Sequence, residues 1–267
     1  MINMLIKYPR TPHIEGSRCQ PGDEDLESVP FSRIANRFLV VEEKVDGANS
    51  GISFSPEGEL RLQSRGHYLT GGGREKHFNL LKTWANAHQA DFWDILGGRY
   101  ILYGEWLYAK HTVFYDQLPH YFMEFDIYDK AEQQFLSTVR RRSLLQNHPF
   151  ITPVLVLFEG RLQQHKALAG LLGPSRFISA AAGDKLRGIC DGKKLDAARV
   201  LRETDMGPLM EGLYIKVEEA GVVKERYKYV RASFLTSILN AESHWLDRPV
   251  ISNLLRDGTD LFSAGQG

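Results

Sequence analysis

The chain has little cysteine, no long apolar run and no excess of charge of either sign. Cys19 and Cys190 are the only cysteines in 267 residues, and they lie far apart. A disulfide framework or a cysteine-based zinc site is therefore not expected, and Cys190 reads as an ordinary buried thiol. No apolar stretch approaches the length that crosses a bilayer, and the opening Met-Ile-Asn-Met-Leu-Ile-Lys lacks the build of a signal peptide. No membrane association and a reducing, cytoplasmic compartment are the expectation. Lys plus Arg number 33 and Asp plus Glu number 33, which excludes a bulk polycation. A local basic groove stays open, because nucleic-acid contact depends on where charge sits rather than on its sum. No internal repeat or low-complexity tract is visible.

What is present is an ordinary globular composition, 43% hydrophobic and 25% charged. Residues 8–30 are rich in proline, glycine and charge and read as an irregular lead-in packed on the domain. Residues 38–64 alternate as strands, with a turn at Pro56-Glu-Gly58. Phe78, Leu81, Ala85, His88, Phe92 and Ile95 recur at steps of three and four, predicting a helix over residues 75–96. Apolar, aromatic runs predict strands over residues 100–108 and 121–128. Helices are expected over residues 140–147, 162–172 and 232–241, and an antiparallel pair over residues 213–217 and 222–230. Residues 175–209 are polar and broken by glycine, and carry little pattern. Hairpins mixed with helices indicate an α+β fold rather than a doubly wound sheet.

Lys44 is the candidate nucleophile. It sits in Glu-Lys-Val-Asp-Gly-Ala-Asn, residues 43–49, directly after an apolar run that begins Phe-Leu-Val-Val. A lysine that ends an apolar run and feeds a tight turn emerges at the rim of a core. Desolvation there would lower its pKa and make the amine nucleophilic. Taken alone, the plain alternative is a surface turn. Four further segments follow in order. They are Gly-Glu at Glu105, Phe-Met-Glu-Phe-Asp-Ile-Tyr around Phe125, Glu-Gly-Leu-Tyr-Ile-Lys from Glu211 to Lys216, and Arg-Tyr-Lys at Arg226 and Lys228.

In this order the motifs resemble the covalent nucleotidyltransferase superfamily of ATP-dependent ligases and mRNA capping enzymes, over about residues 42 to 231. Within it the chain is most similar to RNA ligases of the RNA ligase 2 kind, because Asn49 stands five residues after the lysine where many DNA ligases and capping enzymes carry arginine. Asp46 departs from that pattern, since histidine is frequent there. The resemblance implies an adenylation-domain fold of antiparallel sheets with flanking helices. The oligonucleotide-binding barrel of DNA ligases needs five strands. Only 36 residues follow Arg231, so no C-terminal barrel is expected. The expected layout is one nucleotidyltransferase domain over residues 1–235 and a short appendage over residues 236–267.

The resemblance also implies the chemistry. Lys44 attacks the α-phosphate of ATP to form lysyl-AMP, and the adenylate then activates a 5′-phosphate for attack by a 3′-hydroxyl. Glu211 is the implied ligand for Mg²⁺ or Mn²⁺, and Asn49 could hold a metal-bound water. Glu105 matches the ribose contact and Phe125 the ring that stacks on adenine, with Phe122 as the alternative. Glu43 is placed to read adenine. Arg65, in Gln-Ser-Arg-Gly-His, resembles a ribose or phosphate contact. Arg226 and Lys228, two apart on one strand face, and Lys216 are the implied phosphate cations. Positive charge at Lys228 would lower the Lys44 pKa further. The partner is RNA or an RNA-containing nicked duplex, with an end-healing partner conceivable and a monomer as the default. A DNA ligase, a GTP-dependent capping-type enzyme and a non-catalytic nucleotide- or RNA-binding module are the competing readings. The triple glycine at residues 71–73 lacks the rest of a P-loop and reads as a flexible loop near the site. Residues 140–142, Arg-Arg-Arg, read as a basic helix face, and Lys110 and His111 follow Glu105 closely enough to touch substrate.

Overall fold

A computed structural model describes residues 5–19, 23, 25–234 and 250–263. Its strands in chain order are β1 (His13–Ile14), β2 (Ser28–Val29), β3 (Phe38–Lys44), β4 (Ala48–Phe54), β5 (Leu60–Ser64) and β6 (Tyr100–Trp106). They continue with β7 (Phe122–Asp129), β8 (Gln134–Phe135), β9 (Thr152–Pro153), β10 (Val156–Arg161), β11 (Gly212–Glu219) and β12 (Val222–Val230). The helices are α1 (Asn79–Ala87), α2 (Gln89–Leu96), α3 (Thr138–Leu145), α4 (His165–Ala169), α5 (Ala182–Gly192) and α6 (Ala197–Arg202).

The strands form two sheets. One runs β10-β3-β11-β12-β1-β2, the other β5-β4-β6-β7-β8 with β9 added beside β7. Pairing is antiparallel except where the two-residue strands β1 and β9 join. This is the expected α+β architecture, and no barrel follows β12 among the described residues. The helix expected over residues 232–241 lies mostly outside them, as does much of the region expected to form the appendage. Residues 250–263 return to the main body. Asn253 is fully buried, donates to the Leu107 carbonyl at 2.7 Å and accepts from the Tyr115 amide at 2.9 Å.

The helical period of residues 75–96 is realised in two pieces. A short 3₁₀ turn at Gly73–Phe78 leads into α1, and the chain breaks at His88 before α2. Leu81, Trp84, Ala85, Phe92, Ile95 and Leu96 from the two helices are buried in the large apolar core with Ile52, Leu102 and Phe122 of the second sheet. Full burial of such side chains contributes about 1.5–3 kcal/mol each before conformational entropy is set against it. The first sheet packs a separate core around Leu39, Val41, Leu213 and Ile215.

Charge joins the sheets beside an aromatic cluster in which Tyr103 and Phe125 of the second sheet meet Tyr214 of the first. Lys216 of β11 is fully buried and lies 2.9 Å from Glu42 of β3 and 3.4 Å from Asp126 of β7. Its ammonium also donates to the Phe125 carbonyl, the extra residue at a bulge between β6 and β7. Arg141 of α3, buried rather than on a solvated basic face, bonds Glu42 at 3.0 Å and Glu124 at 3.1 Å. Arg226 of β12 reaches Asp126 at 3.0 Å. Asp126 of the second sheet thus receives two cations of the first. Burial disfavours its carboxylate, but Arg226, Lys216 and Arg141 outweigh burial and hold its pKa at about 2.

That value lies below the ordinary 3.8, so the carboxylate stabilises the fold above about pH 4, and the contribution is lost as pH falls through about 2. Asp126→Asn should cost about 3–5 kcal/mol near pH 6, since two buried cations lose their counter-charge. The gap between variant and wild type, read by urea denaturation, should narrow as pH is lowered toward 2. A gap independent of pH would show that the Asp126 charge does not hold the sheets together.

Candidate active site

Lys44 is the last residue of β3, and β4 begins at Ala48 in the other sheet. The turn between them is therefore the crossing point of the two sheets, and it brings side chains from both onto one pocket. Gly47 makes this crossing possible, because a Cβ there would stand 2.7 Å from the Trp106 carbonyl oxygen. Gly212 pairs with Lys44 across β3 and β11, and a Cβ on it would stand 2.0 Å from the Tyr229 carbonyl oxygen. The glycine after Glu211 thus lets β11 lie close to β12, and it sets Glu211 beside the lysine.

The Lys44 ammonium is 2.6 Å from Glu211 Oε1, with 23% of the lysine side chain exposed and 1% of the glutamate. The pocket above them measures about 990 Å³. Asn49 of β4 and Glu105 of β6 are direct cross-strand neighbours and both line it. Phe125, Arg65, Glu43 and Lys228 line it as well. Phe125 is half-buried at the pocket, whereas Phe122 is fully buried against Trp84 with ring centroids 5.4 Å apart. Of the two rings, Phe125 lines the pocket and Phe122 belongs to the core.

Two implied site residues do not reach the pocket surface. Lys216 and Arg226 do not line it and are engaged in the buried ion network beneath it. Lys110 and His111 do not line it either. Asp46 serves the turn itself, with its Oδ2 accepting the amides of Thr112 at 2.7 Å and Val113 at 2.9 Å. Asp46 therefore ties the lysine turn to the segment at Thr112 and Val113 while also lining the pocket.

Part of the wall comes from residues that the sequence does not single out. Tyr8, Arg10, Thr11 and Asp23 of the lead-in line the pocket, and the Asp23 carboxylate pairs with Lys228. Nothing in the residue pattern of the lead-in points to this. Tyr214 also lines it and carries a usable signal, since strand alternation places it on the same face as Lys216. Residues 71–73 do stand at the pocket, as expected of the triple glycine.

The electrostatics correct one expectation. Burial acts against the Lys44 ammonium, but Glu211, Glu105 and Asp46 outweigh it, and the pKa lies above the ordinary lysine value instead of below it. Depression falls on Lys228, where burial and the neighbouring Lys44 outweigh the pull of Asp23. Burial pushes Glu105 up to about 7 against the opposing influence of Lys44 and Arg65. Burial likewise lifts Glu43 to about 7, with Ser175 and Arg176 opposing it.

Glu211, Glu105 and Asn49 bring oxygen donors of the kind a hard divalent cation takes to the pocket lining, although no group of three or more His, Cys, Asp or Glu among the described residues is placed to hold a metal ion. The buried Asn49 Oδ1 has no hydrogen-bond partner among the described residues. No helix of the described residues is long and apolar enough to cross a membrane.

Comparison with solved structures gives the same fold. A Naegleria gruberi RNA ligase mutant with ATP and Mn superposes with a TM-score of 0.54 at 17% identity, covering 79% of this chain and 54% of that one. The Naegleria gruberi RNA ligase with PPi gives 0.54 at 18% identity, covering 86% and 57%. A further mutant of that ligase, with AMP and Mn, gives 0.52 at 17% identity, covering 79% and 54%. The chain thus spans little more than half the length of these ligases. No curated protein matches it. The sequence profile of the RNA ligase family matches residues 37–230, which contain both sheets' long strands and the whole lysine turn. The chain belongs to the RNA ligase family.

Proposed function

We propose that this protein is an ATP-dependent polynucleotide ligase that seals 5′-phosphate and 3′-hydroxyl RNA ends through lysyl-AMP on Lys44. The observation that carries the reading is the Lys44 amine, 2.6 Å from Glu211, at the floor of a nucleotide-sized pocket. Its nitrogen forms a bond to the α-phosphorus as the bond to the β-phosphate oxygen breaks and pyrophosphate leaves. The amine must shed its proton to attack, and the carboxylates that hold that proton are the same ones that suit a metal. Glu211, with the Asn49 side chain placed to hold a metal-bound water, would hold Mg²⁺ or Mn²⁺, which when bound neutralises charge on the α-phosphate and on the carboxylates. Engagement of those carboxylates leaves burial as the main influence on Lys44, and burial favours the neutral amine.

The remaining side chains position the nucleotide. Phe125 offers a ring face to adenine, Glu43 reads its edge, and Glu105 is placed for the ribose hydroxyls. A carboxyl lifted to about 7 donates or accepts a hydrogen bond near neutral pH, which suits Glu43 and Glu105 to such contacts. Lys228 of the first sheet and Arg65, just after the β5 strand of the second, meet phosphate oxygens. Lys216 and Arg226 act from below, fixing the strands that carry Glu211 and Lys228. In the second half of the reaction the adenylated 5′-phosphate takes the place of the triphosphate, and the 3′-hydroxyl displaces AMP in line.

Lys44→Ala should abolish covalent labelling by radiolabelled ATP in denaturing electrophoresis. Acid-labile, alkali-stable label persisting in that variant would assign the nucleophile elsewhere. Glu211→Ala should leave the protein folded by circular dichroism and lower the rate of lysyl-AMP formation roughly hundredfold or more, an order-of-magnitude loss of about 3 kcal/mol. Ordinary rates across a Mg²⁺ titration would remove Glu211 from the metal site. The substrate test uses nicked duplexes that differ only in the sugars at the nick. Sealing should be efficient when the 3′-hydroxyl strand ends in ribonucleotides and poor when it ends in deoxyribonucleotides, because the 2′-hydroxyl is what marks RNA. Equal rates on both would defeat the RNA assignment while leaving covalent nucleotidyl transfer intact.

A further inference from the structure

A second cleft lies behind the wall of the nucleotide pocket. It measures about 620 Å³, and Val154 lines both cavities. The segment from β9 to β10 forms this shared wall. It pairs with β7 of one sheet, its Leu155 carbonyl accepts the Glu43 amide at 2.9 Å, and β10 then joins β3 of the other.

The lining is unusual in its charge. Four arginines face one carboxylate, Glu124, which is 1% exposed and already bonded by Arg141 at 3.1 Å. Arg142, Arg176 and Arg256 remain, all exposed. Arg142 has a surface partner, Glu159, at 2.6 Å, while Arg176 and Arg256 form no salt bridge with any described residue. An exposed ion pair such as Arg142–Glu159 contributes at most about 1 kcal/mol, so it yields readily to a stronger anion. The floor is apolar, with Met123 and Phe177 almost wholly buried. The aromatic rings of the lining are buried Phe177 and half-buried His148, so base stacking has at most one platform there. Guanidinium forks around such a floor match phosphate oxygens in a polyanionic backbone and do not read bases.

We propose that this cleft binds the phosphodiester backbone of single-stranded RNA flanking the end that is joined at Lys44. The proposal rests on the ligase reading for the identity of the strand. The cleft's size places it among sites for small molecules rather than duplex grooves, so it holds a few nucleotides of one strand. Its position matters equally. The cleft lies just beyond the Val154 wall of the pocket that holds Lys44, and exposed Arg142 and Arg256 are the cations that a strand crossing that wall meets. Leu155 ties the two cavities together, since it lines the second while its carbonyl accepts the amide of Glu43, which lines the first. Binding is accordingly independent of base sequence and dominated by counterion release.

The test measures binding of a fluorescent 5′-phosphorylated single-stranded RNA to the whole chain at several salt concentrations, beside lysyl-AMP formation and nick sealing. Arg142→Gln with Arg256→Gln should leave lysyl-AMP formation unchanged and weaken RNA binding about tenfold or more. The slope of log affinity against log salt should fall in magnitude by about 1.4, two lost phosphate contacts on a single strand. Glu159→Gln, which releases Arg142, should tighten binding. Unchanged affinity and slope in the double variant, with sealing intact in both proteins, would overturn the cleft and leave the ligase reading standing. A wild type that seals no RNA but still loses salt slope on substitution would overturn the ligase reading and keep the cleft as an RNA site. Competition by polyglutamate as strong as that by RNA of equal charge would overturn RNA as the occupant in favour of an acidic peptide.

Discussion

The two sheets meet through a buried chain of charges, and the site depends on that junction. Glu42, Lys216, Asp126, Arg226, Arg141 and Glu124 come from both sheets and from α3, and all but Arg226 are almost completely removed from water. Such groups are costly to bury, and well-packed apolar residues often serve stability as well or better. What apolar residues cannot supply is direction. An ammonium between Glu42 and Asp126 admits one register of β11 against β3 and one distance to β7. That register sets Gly212 against Lys44 and so sets Glu211 at the lysine. The hypothesis that these charges specify geometry rather than add stability follows from their placement beneath the pocket.

Above that layer, two effects oppose each other at Lys44. Burial alone would free the amine, as the sequence position suggests. Three carboxylates close by reverse the sign and keep the proton on. The competition gives the site a sensible resting state, since a lysine poised as a neutral nucleophile next to solvent would react indiscriminately. On the proposed reading, it also ties nucleophile activation to the arrival of whatever neutralises Glu211 and Glu105. Lys228 fits the same logic. Its charge is balanced by Asp23 of the lead-in, so on the proposed reading an incoming phosphate exchanges one anion for another and does not meet a bare cation.

The legibility of this molecule follows from how local each feature is. Strand ends and turns are local, so the sequence alone places Lys44, Glu105, Asn49 and Glu211 at the rims of apolar runs. The family and the α+β fold are readable for the same reason, as an ordered series of short local signals. Helix limits are less legible. Periodicity over residues 75–96 does not show the break at His88, and of the helix expected over residues 162–172 only α4 forms. Glycine-broken residues 175–209 hide α5 and α6, whose buried Leu186 and Cys190 are too few to make a pattern. Long-range pairing is illegible. No pattern in residues 8–30 shows that Tyr8 reaches Asp126 at 2.5 Å or that Asp23 reaches Lys228. Three consecutive arginines look like a solvated face, and only the fold shows the middle one, Arg141, turned inward.

The zero net charge of the chain takes on meaning in this light. Cations and anions number 33 each, yet they are not spread evenly over one surface. Carboxylates such as Glu42, Glu124 and Asp126 are spent inside, balancing buried Lys216 and Arg141 and the nearly buried Arg226. Outside that network, exposed arginines stand at particular places, beside the pocket at Arg65 and around the second cleft at Arg176 and Arg256. Acids and cations are withdrawn from the surface together in this network, so any basic patch outside it reflects where charge is placed and not an excess of it.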